Sequence, residues 1–249
     1  KEFFSLIGGR IAGPVARQAI VVLDSCFAPL TPAEELIVAR AAMESGWAAR
    51  AVSGFARAGN RRLGWGEDRF AYATALTRLK RNGEAALQFR RVRSPKPLAA
   101  LAAYQGARAL VRDGQLGRGR AALIRVARQH PRDTTAAASA FFLQADLASD
   151  DRADAEARRL YRVVATRYPS SRFAATARFR AAMIALLTGD PRSAAQEFDG
   201  LAERYPGSDE ALGAIYWAGR AWAVAGDSAT ARTRWQTVSS RDPLSYYAA

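Results

Sequence analysis

Two stretches in the second half of the chain follow the same spacing pattern. Residues 157–169 are ARRLYRVVATRYP, and residues 194–206 are AAQEFDGLAERYP. In each, a small residue is followed four positions later by a bulky residue, then by an aliphatic residue after three more and a proline after five more. Offsets of three, four and seven residues place side chains on one face of an α-helix. The pattern therefore predicts a helix that packs through one stripe and ends near the proline.

The same pattern recurs at a regular interval along the chain. Its prolines, Pro97, Pro131, Pro169, Pro206 and Pro243, are separated by 34, 38, 37 and 37 residues. A further copy upstream carries Leu63 in place of the proline. The small positions are Ala51, Ala85, Gly119, Ala157, Ala194 and Ala231, and the bulky positions are Phe55, Phe89, Leu123, Tyr161, Phe198 and Trp235. Because Ala195 lies one position round the helix from this stripe, we expect it to be exposed.

A second column of small residues precedes each copy. Its members are Ala39, Ala73, Ala107, Ala145, Ala182 and Gly219. Turn-forming pairs such as Asn82-Gly83, Gly189-Asp190 and Gly226-Asp227 separate the two columns. Each copy is therefore predicted to form an antiparallel pair of helices.

Six copies of this pattern resemble the tetratricopeptide repeat. The resemblance implies an all-α fold, a right-handed helical solenoid of about six helix pairs. We predict repeats at about 32–63, 64–97, 98–131, 132–169, 170–206 and 207–243. Residues 1–31 are expected to form an N-terminal extension with a capping helix. Residues 244–249 are expected to begin a further helix, leading to a C-terminal domain that this chain lacks.

Catalytic and metal-binding sites are not expected in this chain. Its only histidine, His130, and its only cysteine, Cys26, cannot supply the three protein ligands that a metal site wants. His130 stands where later copies carry Tyr168 and Tyr205, so it is predicted to have a packing or turn role. No GxGxxG or GxxxxGK loop occurs. We predict no catalytic residue, no metal and no cofactor, and leave open whether Cys26 is lipidated.

A more specific resemblance lies near the end of the chain. Residues 213–248, GAIYWAGRAWAVAGDSATARTRWQTVSSRDPLSYYA, resemble the last part of the helical region of soluble lytic transglycosylases. Residues 168–182, YPSSRFAATARFRAA, are also similar to that region. The resemblance implies a periplasmic, non-catalytic scaffold that positions a peptidoglycan glycan strand, with the catalytic domain after residue 249. Glu44-Ser45 matches the family's E-S dipeptide, but the GLMQ and AYN motifs are missing, so Glu44 is not predicted to be catalytic.

Function is therefore expected to come from binding surfaces. In tetratricopeptide arrays the first helices line a groove, and the resemblance implies these groove candidates: Arg40, Phe70, Tyr104, Arg108, Phe142, Phe179, Tyr216 and Arg220. Arginine and aromatic side chains would suit an extended peptide or a sugar strand. An alternative for the aromatic members is packing between repeats. A second hypothesis for the whole chain is a scaffold or accessory subunit docked on a larger assembly, one that could be membrane-bound.

The basic residues are unevenly distributed. The chain has 37 Lys and Arg against 23 Asp and Glu, a net charge of +14. Residues 1–125 hold 21 basic and 9 acidic residues, an excess of 12. The predicted basic patch comprises Arg57, Arg61, Arg62, Arg69, Arg78, Lys80, Arg81, Arg90, Arg91 and Arg93. It could bind an anionic membrane surface or an acidic protein, or be a solvated face produced by codon bias; nucleic acid is the weaker candidate.

Overall fold

The computed structural model describes residues 13–248. These residues fall into two compact units, with the boundary between Val126 and Ala127. Within residues 13–248 the chain forms thirteen α-helices and no strand, so the all-α prediction is confirmed. The part of the predicted N-terminal extension before Gly13 lies outside the described residues.

The first unit contains a single helix followed by helix pairs. Its helices are α1 (Pro14–Cys26), α2 (Pro32–Glu44), α3 (Ala48–Leu63), α4 (Glu67–Arg78), α5 (Asn82–Phe89), α6 (Lys96–Arg112) and α7 (Leu116–Gln129), the last of which starts in this unit. Contacts along the unit are mainly between sequence neighbours, α3 packing on α2, α5 on α4 and α6 on α5.

The second unit is also built of helix pairs. Its helices are α8 (Thr134–Asp150), α9 (Asp154–Arg167), α10 (Ala174–Leu187), α11 (Pro191–Arg204), α12 (Ala211–Val224) and α13 (Ser228–Arg241). A 3₁₀ turn, Tyr246–Ala248, follows, where the sequence predicts the start of an α-helix. Tyr247 of this turn packs on Tyr216 of α12, with ring centroids 5.3 Å apart.

The turn residues act as predicted at the helix ends. Gly189 and Gly226 adopt φ of 86° and 89°, which ends α10 and α12 at little steric cost. The aspartates that follow them cap the next helices, since the Asp190 side chain accepts a hydrogen bond from the Ser193 amide and Asp227 accepts one from the Thr230 amide. A glycine-aspartate pair therefore ends one helix and begins its partner.

Both columns of small residues are buried, as predicted. Ala39, Ala73, Ala145 and Ala182 of the first column are fully buried. The stripe of the second helices is also buried, at the small, bulky and aliphatic positions alike, apart from the partly exposed Trp235. Burial of this stripe contributes to holding each pair together.

Two expectations about individual residues are wrong. Ala195 is fully buried because α11 is covered on two sides, by α10 and by α12, and not along one narrow stripe. Pro97 does not end a helix. It lies in the first turn of α6, where a missing amide hydrogen costs nothing, and α5 ends earlier, at Phe89.

A buried ion-pair network attaches α1 to the first helix pair. The guanidinium of Arg50 contacts Asp24 of α1 at 2.7 Å and Glu35 of α2 at 2.9 Å. Arg50 and Glu35 are both buried, whereas Arg57, which also contacts Glu35, is exposed. The helix predicted to cap the first repeat is thus held partly by charge.

Candidate binding cleft of the first unit

A cleft of about 770 Å³ opens between the first helices of two successive pairs in the first unit. Its walls come from α2, from α4, from the loop that joins α3 to α4, and from the loop before α6. The residues that line it include Arg40, Glu44, Trp65, Glu67, Asp68 and Ser94. The two helices that line it carry buried alanines of the first column, Ala39 in α2 and Ala73 in α4.

Arg40 is the only one of the predicted groove residues that lines this cleft. Its Nε donates to Asp68 Oδ1 at 2.7 Å and its Nη2 donates to Asp68 Oδ2 at 2.6 Å. This bidentate hydrogen bonding raises the pKa of Arg40 above its ordinary value. The pair joins α2 to α4, and the charge of Arg40 is largely neutralised by Asp68.

The remaining charges of the cleft are negative. Among the described residues, the carboxylates of Glu44 and Glu67 have no hydrogen bond or ion pair, and both line the cleft. The charges of Arg40 and Asp68 cancel, so the residues that line the cleft carry a net formal charge of about −2. The net charge of the whole chain is +14. A cationic side chain is therefore the group that this cleft would favour.

Trp65 contributes an exposed aromatic side chain to the lining of the cleft. Its side chain is 57% exposed. The loop that carries it is fixed, because the amides of Arg93 and Ser94 donate to the Trp65 carbonyl at 2.7 and 3.3 Å. Gly66 permits this approach, since a Cβ there would lie 3.1 Å from the Ser94 carbonyl oxygen. A rigid exposed tryptophan is a common anchor for bound peptides.

Trp65 and Glu67 were not among the candidates from the sequence. The signal available was the stretch LGWG, residues 63–66, in which a large aromatic residue stands between two glycines at a predicted repeat junction. Its position between helices marked it as a turn, and only the fold shows that the turn borders a cleft.

The predicted aromatic groove residues pack mainly against their own helix partners. Phe70, Phe142 and Phe179 each meet the bulky residue of the second helix edge to face, with centroids 5.2–5.5 Å apart and interplanar angles of 66–68°. Tyr104 is buried. These three contacts lie within a repeat, between its two helices, whereas the packing alternative places the aromatic residues between repeats. They hold the two helices of a pair at a repeated distance.

The second unit holds a polar cluster at the same groove column. Asp146 of α8 accepts a hydrogen bond from the Tyr161 hydroxyl at 2.6 Å and forms an ion pair with Arg180. The Arg180 guanidinium also lies 5.1 Å from the ring centroid of Phe142. Burial, and then the hydrogen bond to Asp146, raise the pKa of Tyr161 to about 12. Arg220, at the matching position of α12, lies over Trp217 at 5.3 Å.

The basic patch is not a uniform surface. The prediction is wrong for Arg69, which is 1% exposed and is among the largest fully buried side chains of residues 13–248. Its burial arises because it closes the loop before α4, donating to the Gly64 and Asn60 carbonyls at 2.6 and 2.9 Å. Arg57 and Arg81 are paired with Glu35 and Glu84. The other members are exposed: Arg61, Arg62, Arg78, Lys80, Arg90, Arg91 and Arg93.

Residues 13–248 contain no group of three or more His, Cys, Asp or Glu side chains placed to hold a metal ion. None of the described helices is long and apolar enough to cross a membrane.

Comparison with known proteins identifies the class of fold. The tetratricopeptide repeat family matches residues 176–208, which span α10 and α11. No curated protein matches the chain. The three solved structures compared with the chain are less than 17% identical to it, so they show its fold alone.

Several solved tetratricopeptide structures are similar over most of the chain. The C-terminal part of a repeat-containing protein from Cytophaga hutchinsonii has a TM-score of 0.68 at 14% identity, covering 99% of this chain and 97% of that one. Pseudomonas aeruginosa pilF has a TM-score of 0.56 at 12% identity, covering 87% and 94%. YrrB, described as a tetratricopeptide protein with an unusual peptide-binding site, has a TM-score of 0.54 at 16% identity, covering 80% and 97%. The predicted tetratricopeptide-type helical solenoid is thus confirmed.

Proposed function

We propose that this chain is a protein-interaction scaffold whose first unit binds an extended segment of a partner protein. The observation that carries the proposal is the cleft with two unpaired carboxylates, Glu44 and Glu67, beside the exposed Trp65. A cleft with rigid walls, an aromatic anchor and uncancelled charge suits a peptide with a lysine or arginine side chain. The peptide-binding site named for YrrB is consistent with this use of the fold.

The proposal is tested with an array of unrelated twelve-residue peptides. Peptides that contain lysine or arginine next to an apolar residue are expected to bind, and Glu44→Gln with Glu67→Gln should weaken their binding about tenfold or more. The matched control is Glu84→Gln with Asp113→Asn, which removes two acidic charges from the same unit outside the cleft. Equal effects of the two double variants, or preferential binding of acidic peptides, would contradict the proposal.

A second candidate function is the glycan-positioning role suggested by residues 213–248. It is favoured by their resemblance to the helical region of lytic transglycosylases, and it would place the chain in the periplasm on a peptidoglycan strand. The comparisons with known proteins support the scaffold role and give no support to the glycan-positioning role. Co-sedimentation with purified peptidoglycan sacculi tests it: a bound fraction that rises with the amount of sacculi supports it, and recovery of all the protein in the supernatant opposes it.

The partner of the scaffold could also belong to a larger, membrane-bound assembly. In that case the protein would co-purify with the assembly from native membranes in fixed stoichiometry, and the Glu44→Gln, Glu67→Gln variant would be lost from it. Retention of that variant would show that the cleft is not the attachment point.

A further inference from the structure

Three arginine side chains converge at the ends of α3 and α5. Arg69 Nη1 donates to Asn60 Oδ1 at 3.0 Å, and Arg91 Nη1 donates to the same oxygen at 3.2 Å. The guanidinium carbons of Arg69 and Arg93 each lie 5.5 Å from the centroid of the Trp65 ring. Asn60 and Trp65 are thus shared between guanidinium groups that would otherwise repel one another.

Local backbone geometry brings these groups together. Gly59 interrupts α3 with φ of 79° and ψ of 162°, so the chain bends immediately before Asn60. Arg69, in the first turn of α4, then reaches the Asn60 and Gly64 carbonyls. The amide of Arg93 donates a hydrogen bond to the Trp65 carbonyl, which holds the loop that carries Arg93 against the loop that carries Trp65.

The positive charge of this cluster has no acidic counterpart. The hydrogen-bond acceptors of Arg69 are carbonyl and amide oxygens of Asn60, Gly64 and Gln88. Among residues 13–248, no carboxylate forms an ion pair with Arg69, Arg91 or Arg93. Burial lowers the pKa of Arg69, and repulsion from Arg91 lowers it further, although a guanidinium keeps its charge in such sites.

We propose that Asn60, Arg91 and Arg93 form a binding site for a phosphate-type dianion, with Arg69 as a buried positive charge beneath it. Two exposed guanidinium groups offer forked donors that match a phosphate group, and the Asn60 amide nitrogen adds another donor. Three positive charges are balanced better by a dianion than by a single carboxylate. The proposal does not rest on the scaffold role, although Trp65 borders both the acidic cleft and the arginine cluster.

The sharpest test is Asn60→Asp. The new carboxylate keeps the oxygen that accepts hydrogen bonds from Arg69 and Arg91, so the thermal midpoint should not fall. The carboxylate also supplies the missing negative charge, and it should therefore displace the bound anion. We expect pyrophosphate, measured by titration calorimetry at low salt, to bind the variant at least about tenfold more weakly than the unmodified protein. The matched control, Asn82→Asp at the start of α5, makes the same change away from the cluster and should leave affinity within about twofold.

Removal of the exposed donors gives an independent test. Arg91→Gln with Arg93→Gln should abolish saturable pyrophosphate binding. Arg78→Gln with Arg112→Gln, in the last turns of α4 and α6, removes the same charge from exposed positions and should retain the binding. Equal loss in both double variants would show diffuse attraction to a basic surface and overturn the proposal.

Two sources of the dianion are separated by a vesicle experiment. If the ligand is a free phosphate compound, pyrophosphate binds the protein and vesicles of phosphatidic acid in phosphatidylcholine do not. If it is a lipid headgroup, those vesicles bind the protein, and Asn60→Asp releases it. Either result supports the site, and absence of saturable binding to both pyrophosphate and the vesicles would overturn it.

Discussion

The guanidinium of Arg40 and the carboxylate of Asp68, which both line the cleft, form a two-point ion pair with N–O distances of 2.7 and 2.6 Å. Arg40 belongs to α2 and Asp68 to α4, so the pair joins the first helices of two successive pairs. It also cancels two of the charges that would otherwise decide what the cleft binds. Changes on its two sides are therefore expected to have opposite effects on binding.

Arg40→Gln is expected to strengthen binding of a cationic peptide, because Asp68 becomes a third unpaired carboxylate in the cleft. Asp68→Asn should weaken binding of the same peptide, because the positive charge of Arg40 then has no negative partner. The thermal stability should change little, since exposed ion pairs contribute about 0–1 kcal/mol. Fluorescence anisotropy of a labelled lysine-containing peptide measures both affinities. Shifts in the same direction for the two variants would show that the cleft does not select by charge.

Ala194→Leu and Ala195→Leu are both expected to destabilise the second unit. Both side chains are fully buried in α11, so replacing either methyl group by an isobutyl group overpacks a helix crossing, at about 1–3 kcal/mol. The control is Gln196→Leu, the next and exposed position of α11, which should stay within about 0.5 kcal/mol. Chemical denaturation gives the three free energies of unfolding. A cost at Gln196 equal to that at Ala194 would contradict the assigned packing.

Phe198→Ala should be at least as damaging as Ala194→Leu. Its ring is fully buried and lies 5.2 Å from the ring centroid of Phe179, so truncation leaves a cavity at the centre of a helix pair. The expected cost is about 3–5 kcal/mol in the same denaturation experiment. A cost below about 1 kcal/mol would mean that the pair tolerates loss of its aromatic contact.

Arg50→Met is expected to cost about 3–5 kcal/mol, because it leaves the buried Glu35 carboxylate without its closest cation. Arg57→Met removes an exposed arginine from the same carboxylate and should cost no more than about 1 kcal/mol. Equal costs would show that burial of Arg50 does not decide the energetics of the network. Since Arg50 also binds Asp24, protease cleavage after α1 should accelerate in Arg50→Met alone.

Tyr161 is expected to make stability depend on alkaline pH. Its pKa is raised to about 12 in the folded protein, against an ordinary value of 10.0, so the folded state favours the neutral phenol. The stabilisation is complete below about pH 10 and is lost as pH rises through about 12. The difference in thermal midpoint between the unmodified protein and Tyr161→Phe should therefore shrink across this range. A difference that stays constant from pH 8 to 12 would contradict the raised pKa.

The sequence by itself determined the repeating part of this protein. Helix pairs, their turns and the buried alanine columns were predictable because each depends on residues close together in the chain, spaced to fall on one helix face. The tetratricopeptide class followed from the repetition of that spacing. Ala195 was misplaced because a periodic stripe does not show how many neighbours cover a helix.

Only the tertiary structure decided which charged side chains are buried, which are paired and which are exposed. Arg69 and Arg91 belong to one basic stretch of sequence, yet one is buried beneath Asn60 and the other is exposed. Arg40 and Asp68 are 28 residues apart, so their pairing depends on the packing of α4 against α2. Electrostatic interactions depend on distance and burial, and neither is set by position in the chain. The acidic cleft in a basic protein could be recognised only once those distances were known.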